Sequence, residues 1–323
     1  MHAVLARLAS SVTRVACSFT FVFLSMVAPA VPVRADRSIE SLVKPGKSDA
    51  ASPVRSSVES GRAGISDLIY LPAPAGRDLE KMSVAHSTKE APAVGVVREL
   101  DAPYRVEEAT SPVWTRQSDG SWVWAIAVQS AGARGVRIQL SSMQLPEGAY
   151  FIVYGKSDPA GALGPFDRKL ALSAPEFWTP TVFGERVVLE CHIPAGADPA
   201  SVEIVINRVV HQSLEGDAAR ALEVLYCQSD VNCADPSWRS VGNGVAHYTF
   251  ISEGVSYICT GSLLNNTAQD YTDYFLTANH CVANQAEANT IECYWFYQTS
   301  ACNGAAPSRT RSPRTAGGAI YLA

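Results

Sequence analysis

The residues of this chain best suited to chemistry stand at Asn279-His280-Cys281, where the apolar run Tyr274-Phe275-Leu276-Thr277-Ala278 gives way to a histidine set directly against a cysteine. Histidine is the side chain whose ordinary pKa lies nearest neutrality, so it can take a proton and give it back, provided its ring is held. A misplacement of about an ångström costs on the order of a hundredfold in rate, so any use of His280 demands a brace. Thr277 and Ala278 bring small side chains beneath the histidine and leave room for a buried carboxylate to reach it. A second strand-like segment, Cys259-Thr260-Gly261-Ser262-Leu263-Leu264, precedes the motif. On residue types alone, a histidine beside a cysteine is as a rule structural. The competing chemistry is a zinc site from His247, Cys259, His280 and Cys281, but they show neither Cys-x-x-Cys nor His-x-x-x-His spacing, so no metal and no other cofactor is expected. Ser262 sits inside a strand pattern and the chain contains no Gly-Asp-Ser-Gly, so no nucleophile is assigned.

The elements that must position these residues are bounded by the bulk of the chain. Its 323 residues suggest about two domains, and 47% hydrophobic residues suffice for real cores. Lys and Arg total 26 against 31 Asp and Glu, a formal charge of -5, which argues against a nucleic-acid partner. Arg7 and Arg14 precede an apolar run from Val15 to Val33 that ends in small residues, with cleavage expected after Ala30 or Ala35. That pattern predicts a secretory leader over residues 1–35 and no stable membrane span after its removal, because the uninterrupted apolar part is shorter than a span needs. Cys17 would leave with it. Most of the eight cysteines (Cys227, Cys233, Cys259, Cys281, Cys293 and Cys302) cluster late in the chain. In an exported chain they predict disulfides, and the protein is expected to be secreted.

Residues 36–94 are rich in Ser, Pro, Ala and Gly and predict a weakly ordered linker, with Ile65 to Leu71 as a short docking piece. From 95 to 212 the texture changes. Segments such as Trp122 to Val128, Gly135 to Leu140, Ala149 to Tyr154, Val187 to Cys191 and Val202 to Ile206 read as strands separated by turn signals. Val136, Ile138 and Leu140 alternate with Arg137 and Gln139, as burial of one face requires. Short strands without helical blocks between them favour a β-sandwich. Glu190, Cys191 and His192 are read as a strand end and not as a metal site. An acidic connecting segment, 213–226, follows, and Arg220 is its candidate cleavage point.

Two sets of residues carry a family resemblance. Trp124 to Ser130, Leu145 to Ala149, Phe177 to Pro180 and Gly184 to Glu190 are similar to the pro-regions of bacterial secreted lysyl-endopeptidase-like proteases. Cys227 and Cys233, Ser240 to Val245, Cys259 to Thr267, Tyr274 to Cys281, Tyr294 to Tyr297 and Thr315 to Ala319 resemble, in order, the first half of the trypsin-type peptidase domain of the same family. The resemblance implies an all-β fold, a β-sandwich-like pro-region followed by an incomplete trypsin-like β-barrel over 227–323. It implies His280 as the general base of a His-Asp-Ser triad and disulfides Cys259–Cys281 and Cys233–Cys302. Cys227 would pair with a cysteine beyond this segment. Cys293 departs from the pattern and is left either free or paired with Cys227.

The resemblance also sets what the chain is expected to do. Its relatives place the triad aspartate shortly after a Gly-Gly-Ala strand such as Gly317-Gly318-Ala319 and the serine far beyond. Asp270 and Asp273 match no triad position. The expectation is a precursor of a secreted serine endopeptidase, cut short after the catalytic histidine and inactive as it stands. When completed it would act on protein or peptide substrates, and its pro-region would pack on the peptidase domain. The second expectation is a non-enzymatic secreted β-sandwich binding protein, or the product of a decayed protease gene.

Overall fold

The computed structural model describes residues 3–8, 57–58, 63–88, 91–106, 114–155, 158–173, 176–213, 229–268, 270, 272–305 and 307–322. The chain is all-β, a sandwich followed by a curled half-barrel. Strand β1 (Ala3–Leu8) comes first. The sandwich region supplies β2 (Asp67–Leu71), β3 (Ala93–Arg105), β4 (Thr115–Arg116), β5 (Trp122–Ser130), β6 (Gly135–Gln144) and β7 (Tyr150–Gly155). It continues with β8 (Asp158–Asp167), β9 (Phe177–Trp178), β10 (Val182–Phe183), β11 (Arg186–Ile193) and β12 (Glu203–Gln212). The C-terminal region supplies β13 (Val245–Ser252), β14 (Val255–Leu264), β15 (Tyr274–Ala278), β16 (Glu292–Trp295), β17 (Arg314–Thr315) and β18 (Ala319–Tyr321).

One sheet runs β2-β5-β11-β7-β8. The other runs β10-β6-β12-β3 and passes on through β14-β13-β16-β17, so the sandwich and the half-barrel share a sheet. Between the two sheets of the sandwich, Trp124, Ile126, Ile138, Leu140, Phe151, Leu189, Ile204 and Ile206 form the main core. β-branched and aromatic side chains at every second position give each strand the one apolar face that such a layer needs.

Two sequence expectations change here. Part of the stretch read as linker is structured: β2 pairs in parallel with β5, and the helix Arg77–Thr88 follows. Composition did not reveal this, because much of what fixes the segment is backbone. Ser66 N–H donates to Ala125 C=O at 2.8 Å, and Ser57 N–H donates to the buried Glu190 carboxylate at 2.7 Å. The alternation of β6 also fails as a guide, since Arg137 and Gln139 are as buried as Ile138. Their face of the strand is covered as well, by Trp178 and by the half-barrel.

That junction is polar and buried. Arg137 donates to Thr179 C=O at 2.8 Å and to Thr290 C=O of the C-terminal region at 2.9 Å. Its guanidinium lies 3.8 Å from the Glu292 carboxylate. Glu292 in turn accepts from the backbone N–H of Thr181 at 3.0 Å and from its hydroxyl at 2.6 Å. Burial pulls the Arg137 pKa down, and the charges of Glu292 and Tyr294 push against that shift. Beside this network β3 hydrogen-bonds to β14, with Val96 opposite Val255.

The half-barrel core is smaller, built on Tyr248, Phe250, Tyr257, Phe275, Val282 and Ile291. It also takes in Ala85, Ala91 and Ala93 from the sandwich side of the chain. β15 pairs with β14, and β1 lies antiparallel between β15 and β18. Apart from β1, the expected leader lies outside the described residues, as do Arg220 and the rest of the connecting segment after Ser213. No helix among the described residues is long and apolar enough to cross a membrane.

Candidate functional site

His280 lies two residues past the end of β15, in an exposed turn beside the fully buried Cys281. The turn closes by hydrogen bonds from the N–H groups of Cys281 and Val282 to Ala278 C=O, at 3.0 and 3.2 Å. On the strand side, Thr277 Oγ1 shares a hydrogen bond of 2.6 Å with Tyr248 Oη on β13. Burial pushes the Tyr248 pKa upward, so the phenol stays protonated and can donate. On the other side, Cys281 is bonded to Cys259 on β14. The histidine thus projects from a turn held to two neighbouring strands.

Sequence and local packing explain this support. A Cβ on Gly261 would lie 2.4 Å from the Phe275 ring, so only glycine lets β14 approach the strand that carries the histidine. Ser262 lies in β14 opposite Leu276, a ladder position. Asp270 accepts from Thr272 N–H and hydroxyl and from the Asn266 amide, holding the turn before β15. At the far end of the region, Cys233 is bonded to Cys302. Asp230 reinforces that bridge by accepting from Thr299 Oγ1 at 2.6 Å and Asn303 N–H at 3.0 Å.

The family profile for the lysyl endopeptidase N-terminal domain matches residues 70–213, and that for the lysyl endopeptidase C-terminal domain matches residues 223–323. This chain belongs to the lysyl endopeptidase family. A curated lysyl endopeptidase from Pseudomonas aeruginosa is 29% identical over 227 residues, covering 64% of this chain and 47% of that protein. The chain therefore spans about half the length of the relative it matches. No solved structure matches it.

Within this lysyl-endopeptidase chain, the structure brings together Cys259, His280 and Cys281, whose ligand atoms lie within 4.8 Å of one another. The two sulfurs are bonded to each other and are not the thiolates that zinc binds. His247 lies elsewhere, stacked on Tyr297. Cys293 and Cys191 are buried free thiols whose pKa values burial pushes far up, which makes both unreactive. Cys227 lies outside the described residues.

The second polar cluster lies in the sandwich. Glu190 and His192 share a face of β11 two positions apart, with His192 Nε2 at 2.8 Å from the carboxylate. Tyr154 Oη donates to it at 2.7 Å. Burial alone would raise the Glu190 pKa, but these hydrogen bonds and that from Ser57 N–H outweigh it and bring the value down to about 2. Cys191, between them, points into the opposite layer. The cluster works as a clasp for the segment around residue 57.

Sequence reasoning missed the residues that support the turn after His280. Asn284 caps the short helix Gln285–Ala288, accepting Glu287 N–H at 3.0 Å. The signal was present as Asn-x-x-Glu, the spacing of a helix-capping box.

Proposed function

We propose that this chain is the precursor of a secreted serine endopeptidase, in which His280 serves as general base and then general acid in an acyl-enzyme route. On this reading residues 1–35 are a leader, whose removal takes β1 from between β15 and β18, and 95–212 are a pro-region. Processing falls in 213–226, and 227–323 begin the peptidase domain. The observation that carries the proposal is the bracing of His280, with Thr277 held by Tyr248 on one side and the Cys259–Cys281 bridge on the other, in a lysyl-endopeptidase chain. A base of this kind takes the proton of a serine hydroxyl as it attacks the peptide carbonyl, then returns it to the leaving amine. Residues 1–323 supply that base without a nucleophile assigned among them, so this segment alone is proposed not to turn over a peptide.

Packing of the pro-region on the peptidase segment is part of the same proposal. It is supported by the β3–β14 pairing and by the contacts that Arg137 and Thr181 make with Thr290 and Glu292. The name of the Pseudomonas relative suggests cleavage at lysine. We assign that preference to no residue described here. The test is the full-length gene product assayed on lysyl peptide substrates. His280→Ala is expected to lower kcat by about four to six orders of magnitude. Retention of full activity by that variant would sink the proposal.

A further inference from the structure

The short turn beyond His280 is held by more fixed contacts than a surface turn requires. Glu287 is nearly buried, at 7% exposure, and its two carboxylate oxygens have separate partners. Oε2 accepts the backbone N–H of Ala283, just past His280, at 2.7 Å. Oε1 accepts the hydroxyl of Ser252 at the end of β13. The Glu287 carbonyl accepts the Thr290 hydroxyl at 2.7 Å, and that hydroxyl oxygen accepts Ile251 N–H at 2.8 Å. Thr290 C=O receives Arg137 from the sandwich. The neighbouring Gln285 side chain donates to Ala319 C=O and accepts from Tyr321 N–H, both at 2.8 Å, so the same turn carries β18.

A buried carboxylate is costly unless donors satisfy it, and here both oxygens have donors. A glutamine would present one carbonyl oxygen and turn an NH2 group towards one of those donors, so the site fits a carboxylate and not its amide. The Cys259–Cys281 bridge restrains the turn of His280 from one side. Glu287 restrains it from the other.

We infer that Glu287 is a positioning residue for His280, fixing the loop from which the imidazole projects and tying it through Thr290 to the Arg137 anchor in the sandwich. Its catalytic meaning rests on the reading of His280 as the base, but the positioning itself can be measured without a substrate.

The two disulfides found among the described residues serve as paired reporters in the full chain. In Glu287→Gln, reduction of Cys259–Cys281 by dithiothreitol and amide exchange across 280–284 should each accelerate about tenfold, the loss of one charge-assisted hydrogen bond. Reduction of Cys233–Cys302 should stay unchanged. The His280 ring-proton resonance should shift while that of His192, in the sandwich, holds its place. Ser252→Ala keeps the carboxylate and its Ala283 contact. It should give a smaller change at the same loop, and it supplies the reading if the glutamine variant does not fold. Equal acceleration of both disulfides, or a loop and a His280 resonance that do not respond, overturns the inference. An active His280→Ala enzyme would overturn the catalytic reading without moving these reporters, so the two fail separately.

Discussion

The sandwich and the half-barrel are stabilised in different ways. The sandwich closes on itself, with two sheets meeting across a layer of large side chains such as Trp124, Phe151 and Leu189. The half-barrel has a thinner core that includes several alanines, some of them from residues 85–93 on the sandwich side. It makes up the difference with the bridges Cys233–Cys302 and Cys259–Cys281 and with a buried polar junction. The large apolar core of the sandwich is its own, whereas the half-barrel adds cross-links and side chains from its neighbour to a smaller one. In the proposed enzyme, the region that carries the base is thus the one that relies on outside support.

The largest test of this contrast is the junction. Glu292→Gln leaves Arg137 and Arg314 facing a neutral group in a buried site, and breaking a buried pair in this way costs about 3–5 kcal/mol. Denaturant unfolding followed by amide exchange should show the half-barrel melting ahead of the sandwich. Simultaneous loss of both regions would mean that they form one cooperative unit.

The Cys259→Ala, Cys281→Ala double variant comes next. Removing a bridge between residues separated by 22 positions is expected to cost about 2–4 kcal/mol, confined to the half-barrel. A matching loss in the sandwich would contradict the division.

The smallest effect is acid sensitivity of the sandwich. The Glu190 pKa is depressed in the folded chain, so its contribution is full above the unfolded value near 4.5 and disappears as pH falls towards about 2. His211 acts at higher pH. It is buried against Ser130 Oγ at 2.8 Å, and burial, aided by Arg98, lowers its pKa against the pull of Asp78 and Glu185. Its stabilisation is complete above the unfolded value of about 6.5 and is lost as pH drops below it. Glu190→Gln should flatten the pH–stability curve only in the lower window, and His211→Gln only in the upper one.

Much of the architecture was legible in the sequence because strand residues and turn signals act locally. The segments from Trp122, Gly135, Ala149, Val187 and Val202 fall in strands of the sandwich, with only Ala149 and Val202 themselves one residue outside. Tyr274 to Ala278 forms the strand leading to His280. What the sequence hid was non-local. Arg137 looks like a solvent-facing residue until Thr290, far along the chain, supplies its acceptor. The order around residues 57 and 66 rests on backbone donors, which composition does not record. Glu287 announces itself as a capping residue, but its grip on Ala283 depends on a turn whose path is set by a disulfide and by β13.

The guanidinium buried on β6 has one more consequence. A chimera that grafted this sandwich onto another half-barrel, or this half-barrel onto another sandwich, would inherit half of an ion pair. Arg137 and Thr181 would have to be transplanted together with Glu292 and Arg314. The two halves of the molecule are mated parts.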